Sequence, residues 1–459
     1  MKEREGMGRG ENQTMRAKLV DADTKDFCKS RALQLKAHRF IPGGSHTYAK
    51  GDDQYPQEAP GFIVRGKGCR VWDVDGNEFI EYGMGLRAVT LGHVFEPVVE
   101  AAYRQMQLGI NFNRPAKIEV DLAEVMLEVV NGADMIKFAK NGSDVTTAAV
   151  KLARAYTGRD RVAVCGDQPF FSTDDWFIGS TEMNAGIPQS VIDMTLKFPY
   201  NDLAKLRELF DRHRDQIACV LMEAEAATPP DPGYLLAVKQ LCEERGAVLV
   251  FDEMITGFRW HLGGAQKFHG VIPHLSTFGK AMGNGFAISA LAGKREIMRL
   301  GGLDHDQERV FLLSTTHGAE AHALAASLET IQIYRAHSVV EYLWKQGERL
   351  RVLINKSIAE NRLEGYFEVL GRPCNLIFAT YDRDQNRSQA FRTLFMQELI
   401  RRGVIAPSFV VSFSHTDRDI ERTAEAVHEA HVVYRKALDE GIEKYLEGRP
   451  VKPVLRKYN

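Results

Sequence analysis

The chain has 459 residues, more than one hydrophobic core usually serves, so two or three structural units are expected. Its 59 basic and 61 acidic residues give a formal net charge of -2. A chain with so little net charge has no whole-protein field to attract nucleic acid or an anionic membrane.

The six cysteines are scattered, with no C-x-x-C pair and no histidine at zinc-site spacing. No apolar run approaches about 18 residues, the length that a membrane span needs. Residues 1–18 are charged and polar and lack the apolar segment of a secretory signal. The sequence therefore predicts a cytoplasmic protein with reduced thiols, no bound metal, and neither nucleic acid nor a membrane as its partner.

Residues 1–90 are predicted to form a leader, a helix and an antiparallel meander that is part of a small domain. Roughly the first 15 residues are expected to be a mobile leader, or an arm packed on a partner subunit. A helix is predicted at 25–40, where a Pro-Gly-Gly sequence stops it. Three short strands follow, with an Asp-Gly-Asn hairpin signal before the third, at 62–64, 71–74 and 79–82.

Residues 91–338 are predicted to form a large domain, because short apolar strands alternate with helical stretches. Such alternation indicates right-handed crossover units and an α/β fold with a mainly parallel central sheet. The predicted strands are 135–139, 161–165, 217–222, 248–251 and 288–292. Residues 339–459 combine a long charged helix, short strands and two later helices, which predicts a small C-terminal α+β domain.

Two residues carry most of the chemical information. Lys280 lies in STFGKAMGNG, residues 276–285, and Asp252 directly follows the apolar strand 248–251. In an open parallel sheet the ligand crevice lies beyond the C-terminal strand ends, so Asp252 is expected at its edge. A lysine amine can hold the aldehyde of pyridoxal phosphate (PLP) as a Schiff base, and a carboxylate keeps the pyridine nitrogen protonated. The alternatives are a solvated lysine and an aspartate that caps the next turn.

The segment DEMITGFR, residues 252–259, resembles a signature of class-III, fold-type I aminotransferases. The pattern is most similar to glutamate-1-semialdehyde 2,1-aminomutase and its relatives in sugar and antibiotic pathways, and it extends over residues 42–427. The resemblance implies a fold-type I PLP-dependent transferase. It makes Lys280 the Schiff-base lysine, which shuttles a proton between the substrate α-carbon and the C4′ atom of the cofactor, and Asp252 the partner of the pyridine nitrogen.

A phosphate site is predicted where NGSD, residues 141–144, precedes a helix with an apolar face. Ser143 is expected to cap this helix while the amides of Gly142 and Ser143 bind the anion. An ordinary N-cap serine is the alternative. In the resembled family a Ser-Gly-Thr loop binds the phosphate at this place.

The resemblance also implies contributions to the cofactor site from a loop and from a second subunit. Relatives stack a tyrosine on the cofactor ring, and the altered loop here offers Phe170, with Phe171 as the alternative. Packing of both aromatic rings in the core is the other interpretation. Relatives bind the phosphate with a Gly-Thr pair of the partner subunit, which corresponds to Ser314 and Thr315. This implies a homodimer with shared active sites.

Substrate-binding residues are expected from the same resemblance. In the aminomutase a serine and an arginine follow Pro-Gly-Gly and bind the substrate, and Thr47 and Lys50 stand at those places. Lysine lacks the bidentate fork of arginine, so recognition of a carboxylate should be less strict. Arg87 is a second candidate anion anchor, with a surface salt bridge as its alternative. His415 is interpreted as a structural histidine rather than a catalytic acid.

The sequence thus predicts a PLP-dependent aminotransferase that moves an amino group from a donor such as L-glutamate to a keto or aldehyde acceptor in a biosynthetic pathway. The first rival is a glutamate-1-semialdehyde-type 2,1-aminomutase. Lys50 and the absence of the mutase glutamate after residues 406–408 count against it. A rival of another class is a PLP-binding protein without turnover.

Overall fold

The computed structural model describes residues 25–168 and 172–458. The predicted leader lies outside these residues. The strands, numbered in chain order, are β1 Ile63–Lys67, β2 Arg70–Asp73, β3 Glu78–Glu81, β4 Met135–Ala139, β5 Arg161–Cys165, β6 Thr195–Phe198, β7 Ile217–Met222, β8 Val248–Asp252, β9 Leu275–Phe278, β10 Ser289–Gly293, β11 Phe367–Leu370, β12 Ile377–Thr380 and β13 Val404–Ile405.

The helices fill the connections between these strands and form most of the C-terminal part. They are α1 Cys28–Phe40, α2 Met84–Arg87, α3 Glu96–Leu108, α4 Lys117–Val129, α5 Gly142–Thr157, α6 Asp175–Ile178, α7 Gln189–Ile192, α8 Leu203–Arg212, α9 Tyr234–Glu244, α10 Gly264–His269, α11 Arg295–Met298, α12 Ala321–His337, α13 Val339–Glu360, α14 Gln389–Arg401 and α15 Asp417–Glu440. Within the described residues, no helix combines the length and apolar character that a membrane crossing requires.

A seven-stranded sheet forms the centre, in the order β4-β10-β9-β8-β7-β5-β6. The five strands from β9 to β6 are parallel, whereas β10 runs antiparallel to both β4 and β9. Every residue of β7 and β8 is buried, because helices cover both faces, and this explains their continuous apolar sequences. The predicted mainly parallel α/β sheet is therefore confirmed.

Two strands of the sheet, β6 and β9, are absent from the sequence prediction. Both are short and carry polar residues, as in the LSTF sequence of β9. Ser276 and Thr277 are nevertheless buried, because their hydroxyl groups donate to Gln266 and Asp252. Hydrogen bonds to neighbouring elements thus replace the apolar pattern that normally identifies a buried strand.

The predicted antiparallel meander is present as β1, β2 and β3. Its far edge pairs in parallel with β13, and Val404 lies opposite Ile80. This contact joins the first predicted segment, 1–90, to the last, 339–459. The proposed boundaries at 90 and 338 stay a prediction.

Candidate active site

Asp252 and Lys280 lie on neighbouring strands at the C-terminal edge of the sheet. Asp252 is the last residue of β8, and its register partner Thr277 lies on β9, which ends two residues before Lys280. The Asp252 carboxylate is 3% exposed, and its Oδ1 accepts hydrogen bonds from the Met254 amide at 2.9 Å and the Thr277 hydroxyl at 3.1 Å. The Oδ2 atom accepts no hydrogen bond within the described part of the chain. One oxygen of a fixed, buried carboxylate therefore remains open to a ligand.

The amine of Lys280 is also open. Among the residues that the structure describes, it forms neither a hydrogen bond nor an ion pair. Burial lowers the pKa of Lys280, while the negative charges of Asp252 and Glu223 oppose this shift. Burial likewise raises the pKa of Asp252, and Lys280 opposes it. Desolvation favours the neutral amine that an imine-forming lysine requires, and the open carboxylate of Asp252 remains available to a ligand.

Glu223 is a site residue that the sequence analysis missed. It follows β7 directly, as Asp252 ends β8, and the two strands are parallel neighbours. Burial, reinforced by the charge of Asp252, raises the pKa of Glu223 to about 8, whereas Lys280 and Arg87 lower it. The signal was available, because the apolar strand 217–222 ends in an acidic residue as abruptly as strand 248–251 does.

The predicted phosphate site lies at the N-terminus of α5, but the predicted cap is wrong. Asn141, not Ser143, is the N-cap residue, and its amide donates to the Asp144 carboxylate at 2.8 Å. The Ser143 hydroxyl instead accepts from the Thr173 amide at 3.3 Å. Because the helix already begins at Gly142, Ser143 lies within its first turn and cannot be the residue that precedes it. The helix N-terminus itself remains suited to an anion.

Met254 links this helix to the turn that carries Lys280. A Cβ atom added to Gly142 would lie 3.2 Å from the Met254 sulfur, and one added to Gly279 would lie 2.7 Å from it. These glycines therefore allow the start of α5 and the turn before Lys280 to pack closely against Met254. The crowding at Gly279 comes from the Met254 side chain.

The aromatic candidates Phe170 and Phe171 lie outside the described residues. The start of their loop is fixed beside the site, because the Gln168 side chain pairs with the backbone of Glu223 through bonds of 3.0 and 3.1 Å. Thr315 is exposed on the single chain, where its hydroxyl donates to the His317 carbonyl at 3.2 Å. A role for Thr315 in a partner subunit stays a prediction.

The three substrate-binding candidates have different surroundings. Arg87 is half-buried and donates from Nε to the Asn375 side chain at 2.9 Å, and its charge acts on both Lys280 and Glu223. Thr47 is half-buried and Lys50 is exposed on a short 3-10 turn. The Lys50 amide donates to the Thr47 carbonyl at 3.0 Å, but its side-chain amine has no ion pair or hydrogen bond within the described ranges. The substrate roles of Thr47 and Lys50 stay predictions.

His415 has the structural position that the sequence analysis favoured. It is fully buried against Tyr82, with ring centres 4.4 Å apart, and its Nδ1 accepts from the Ser412 amide at 2.9 Å. Burial lowers the pKa of His415 to about 4. A neutral imidazole that fixes a loop is the resulting role.

The family assignment follows from this geometry together with sequence comparison. The profile described as "Aminotransferase class-III" matches residues 53–408. The chain belongs to the class-III aminotransferase family. It is therefore a PLP-dependent aminotransferase of fold type I, and the open amine, the open carboxylate and the helix N-terminus fit that cofactor.

Individual relatives agree with the family. The chain is 31% identical over 428 residues to a 3-aminobutyryl-CoA aminotransferase of Cloacimonas acidaminovorans (strain Evry), covering 91% of this chain and 100% of the relative. It is 30% identical over 430 residues to a glutamate-1-semialdehyde 2,1-aminomutase of Sulfurihydrogenibium azorense, covering 88% and 99%. The solved FumI protein of Sphingopyxis sp. MTA144, in its PLP internal aldimine form, has a TM-score of 0.81 at 28% identity, covering 90% and 98%.

Proposed function

We propose that this aminotransferase moves an amino group from L-glutamate to a keto or aldehyde acceptor that carries a carboxylate or a phosphate, in a biosynthetic pathway. The observation that carries the proposal is the open amine of Lys280, with Asp252 and Arg87 acting on it from within the same buried cluster. Arg87 supplies a cation for an anionic substrate group, and its Nη atoms donate to no partner among the described residues.

Each site residue has a defined task in this proposal. Lys280 would hold the cofactor and move the proton at the substrate α-carbon, and the Asp252 carboxylate would keep the pyridine nitrogen protonated. The amides of Gly142 and Ser143 would bind the phosphate group, Phe170 is the candidate to stack on the ring, and Thr315 of a second subunit would complete the phosphate site. When bound, PLP supplies a ring that accepts the electrons of a substrate carbanion.

A homodimer with shared active sites is part of the proposal. Its support is an apolar stripe on α3, where Val99, Tyr103 and Met106 are 40%, 54% and 46% exposed at helical spacing. Leu108, the last residue of α3, and Phe112 beyond it are also exposed. A second copy would cover it, since apolar patches of this kind mark interaction surfaces. A monodisperse, fully active monomer would contradict this part.

We also place the enzyme in the cytoplasm. All six cysteines are free, and five of them are buried in the fold without a partner thiol. Free thiols suit a reducing compartment. Fractionation of cells that produce the native chain tests the location.

A single half-reaction distinguishes this function from its rivals. The purified holoenzyme receives L-glutamate without any acceptor, and the visible Schiff-base absorption is followed while 2-oxoglutarate is measured. Loss of the band with stoichiometric 2-oxoglutarate is expected. An unchanged band would indicate another donor or the aminomutase, and a protein without any visible band would contradict PLP binding at Lys280.

A second donor class has its own support. The relative named 3-aminobutyryl-CoA aminotransferase is matched along its whole length. A β-amino acid thioester is therefore the next donor to test if glutamate leaves the band unchanged.

A further inference from the structure

The short segment α2, Met84–Arg87, is a turn with an uncommon left-handed backbone. Four consecutive residues have positive φ angles, with +42° at Met84, +59° at Gly85, +56° at Leu86 and +71° at Arg87. Three of them have a side chain, whose Cβ atom crowds the following carbonyl oxygen in this conformation. Single residues of this kind are uncommon and runs are rarer still. Other contacts must therefore hold the 84–87 turn in place, and such strain is often found at functional sites.

One of these contacts comes from Arg259. Its Nη2 atom donates to the Arg87 carbonyl oxygen and, at 3.1 Å, to the Thr90 hydroxyl, while Nη1 donates to the Ile255 carbonyl at 3.1 Å. Arg259 is fully buried, and no carboxylate pairs with it in the described part of the chain. Burial lowers the pKa of Arg259 to about 10. Burial of a guanidinium without a carboxylate partner is unfavourable. Here the group donates to two backbone carbonyls and one hydroxyl, and it thereby holds the surrounding loops in place.

The second contact comes from the C-terminal part of the chain. Asn375 ends the buried turn Pro373–Asn375, and its Oδ1 accepts from Nε of Arg87 at 2.9 Å. Arg87 is thus fixed at its carbonyl oxygen and at Nε. The two terminal NH2 groups keep all their donors, and the charge of Arg87 acts on Lys280 and Glu223.

We propose that Arg259 and Asn375 are positioning residues, which together aim the terminal NH2 groups of Arg87 at an anionic group of the substrate beside Lys280. The inference rests on the proposed role of Arg87 as the anion anchor. The segment 252–259 then supplies the site twice, with the carboxylate for the cofactor at its start and the support for the anchor at its end. Strain in the 84–87 turn is retained because it fixes the direction of a side chain.

The test measures binding of succinate and of uncharged succinamide to the PLP-loaded enzyme by titration calorimetry. Arg87→Met removes the anchor and should weaken succinate binding about a hundredfold. Asn375→Ala and Arg259→Lys keep the Arg87 side chain but remove a contact that fixes its orientation. Each should weaken succinate binding about tenfold. Succinamide binding and the visible Schiff-base band should stay as in the wild type. Asn361→Ala, which removes a remote side-chain hydrogen bond at the end of α13, is the matched control.

The possible failures separate the two ideas. If Arg87→Met weakens succinate binding while Asn375→Ala and Arg259→Lys do not, the anchor stands and the positioning role is overturned. Equal weakening of succinate and succinamide also overturns it, because a merely structural defect has no charge preference. A wild-type enzyme without preference for succinate overturns the anchor itself. Should Arg259→Lys fail to bind PLP, Asn375→Ala decides alone.

Discussion

Two pairs of buried carboxylates lie at the C-terminal ends of the neighbouring strands β7 and β8. The pairs differ in whether their oxygens accept hydrogen bonds from the protein. The inner pair, Glu223 and Asp252, borders Lys280 and leaves hydrogen-bonding positions open. The outer pair, Glu225 and Glu253, is fully buried and saturated. All four carboxylates lie at one edge of one sheet, so depth of burial does not distinguish them.

The outer pair holds elements together. Glu225 accepts from His269 at 2.7 Å and from Arg372 at 2.5 and 3.2 Å, which joins α10 to the C-terminal part. Burial alone would raise the pKa of Glu225, but the bonds from His269 and Arg372 outweigh it and lower the pKa. Glu253 accepts from the Thr256 hydroxyl and from two backbone amides at the start of α10, at 2.8 and 2.7 Å. Buried carboxylates whose oxygens all accept hydrogen bonds therefore have structural roles here, whereas carboxylates with an oxygen free to accept one are the candidate catalytic residues.

Removal of Lys280 should break the inner site most severely. Lys280→Ala is expected to lose at least about 10⁴-fold in turnover, because positioned proton transfer and covalent activation disappear together. Its stability should not fall, since the variant removes a buried amine that has no partner. Steady-state kinetics and thermal unfolding measure the two effects, with Lys267→Ala on the exposed face of α10 as the control. Normal turnover in Lys280→Ala would refute the assignment.

Asp252→Asn sharpens the comparison within one segment. Loss of the negative charge beside the pyridine nitrogen should cost about 10²–10³-fold in turnover, with little change in stability. Glu253→Gln is the matched control, since it alters the next residue but a saturated carboxylate. Steady-state kinetic constants are measured for both variants. Equal losses of turnover at the two positions would contradict the distinction between the inner and outer pairs.

The outer pair should respond in stability instead. Glu225→Gln leaves Arg372 and His269 without a charged partner and is expected to lower the free energy of unfolding by about 3 kcal/mol. Denaturant titration of the holoenzyme measures this change, and turnover of the folded fraction should remain near that of the wild type. A variant that keeps its stability but loses activity would place Glu225 with the inner pair.

The pH dependence of stability tests Glu223 of the inner pair. Its pKa rises from 4.5 to about 8 on folding, so the folded state binds the proton more tightly than the unfolded state. The associated stability is complete below about pH 4.5 and is lost as the pH rises through about 8. Relative to Glu223→Gln, the PLP-free wild type should therefore become less stable over this range. Parallel stability curves for the two proteins would show that Glu223 is not buried as an acid.

Local sequence was sufficient to propose Lys280 and Asp252 as the central residues of the candidate site. Asp252 ends an apolar strand and Lys280 lies in a recognisable motif, and the edge of a parallel sheet brings the two segments together. Glu223 has the same local signal but no motif around it, and it was overlooked. The cap at Ser143 was assigned wrongly, because the helix begins earlier than expected, Asn141 is its N-cap, and the Ser143 hydroxyl accepts from Thr173 of a distant loop.

The amino-acid sequence alone was enough to establish the α/β class, the antiparallel meander and the family, and to propose the lysine and aspartate of the candidate site. These depend on periodicity and on neighbours in the chain, which local patterns record. Only the tertiary structure decided the antiparallel direction of β10, the pairing of β13 with β3, and the contacts of Arg87 with Arg259 and Asn375. Arg87 and Arg259, for example, are 172 positions apart along the chain. Contacts of this kind form only when the helices and strands pack, so no local pattern records them.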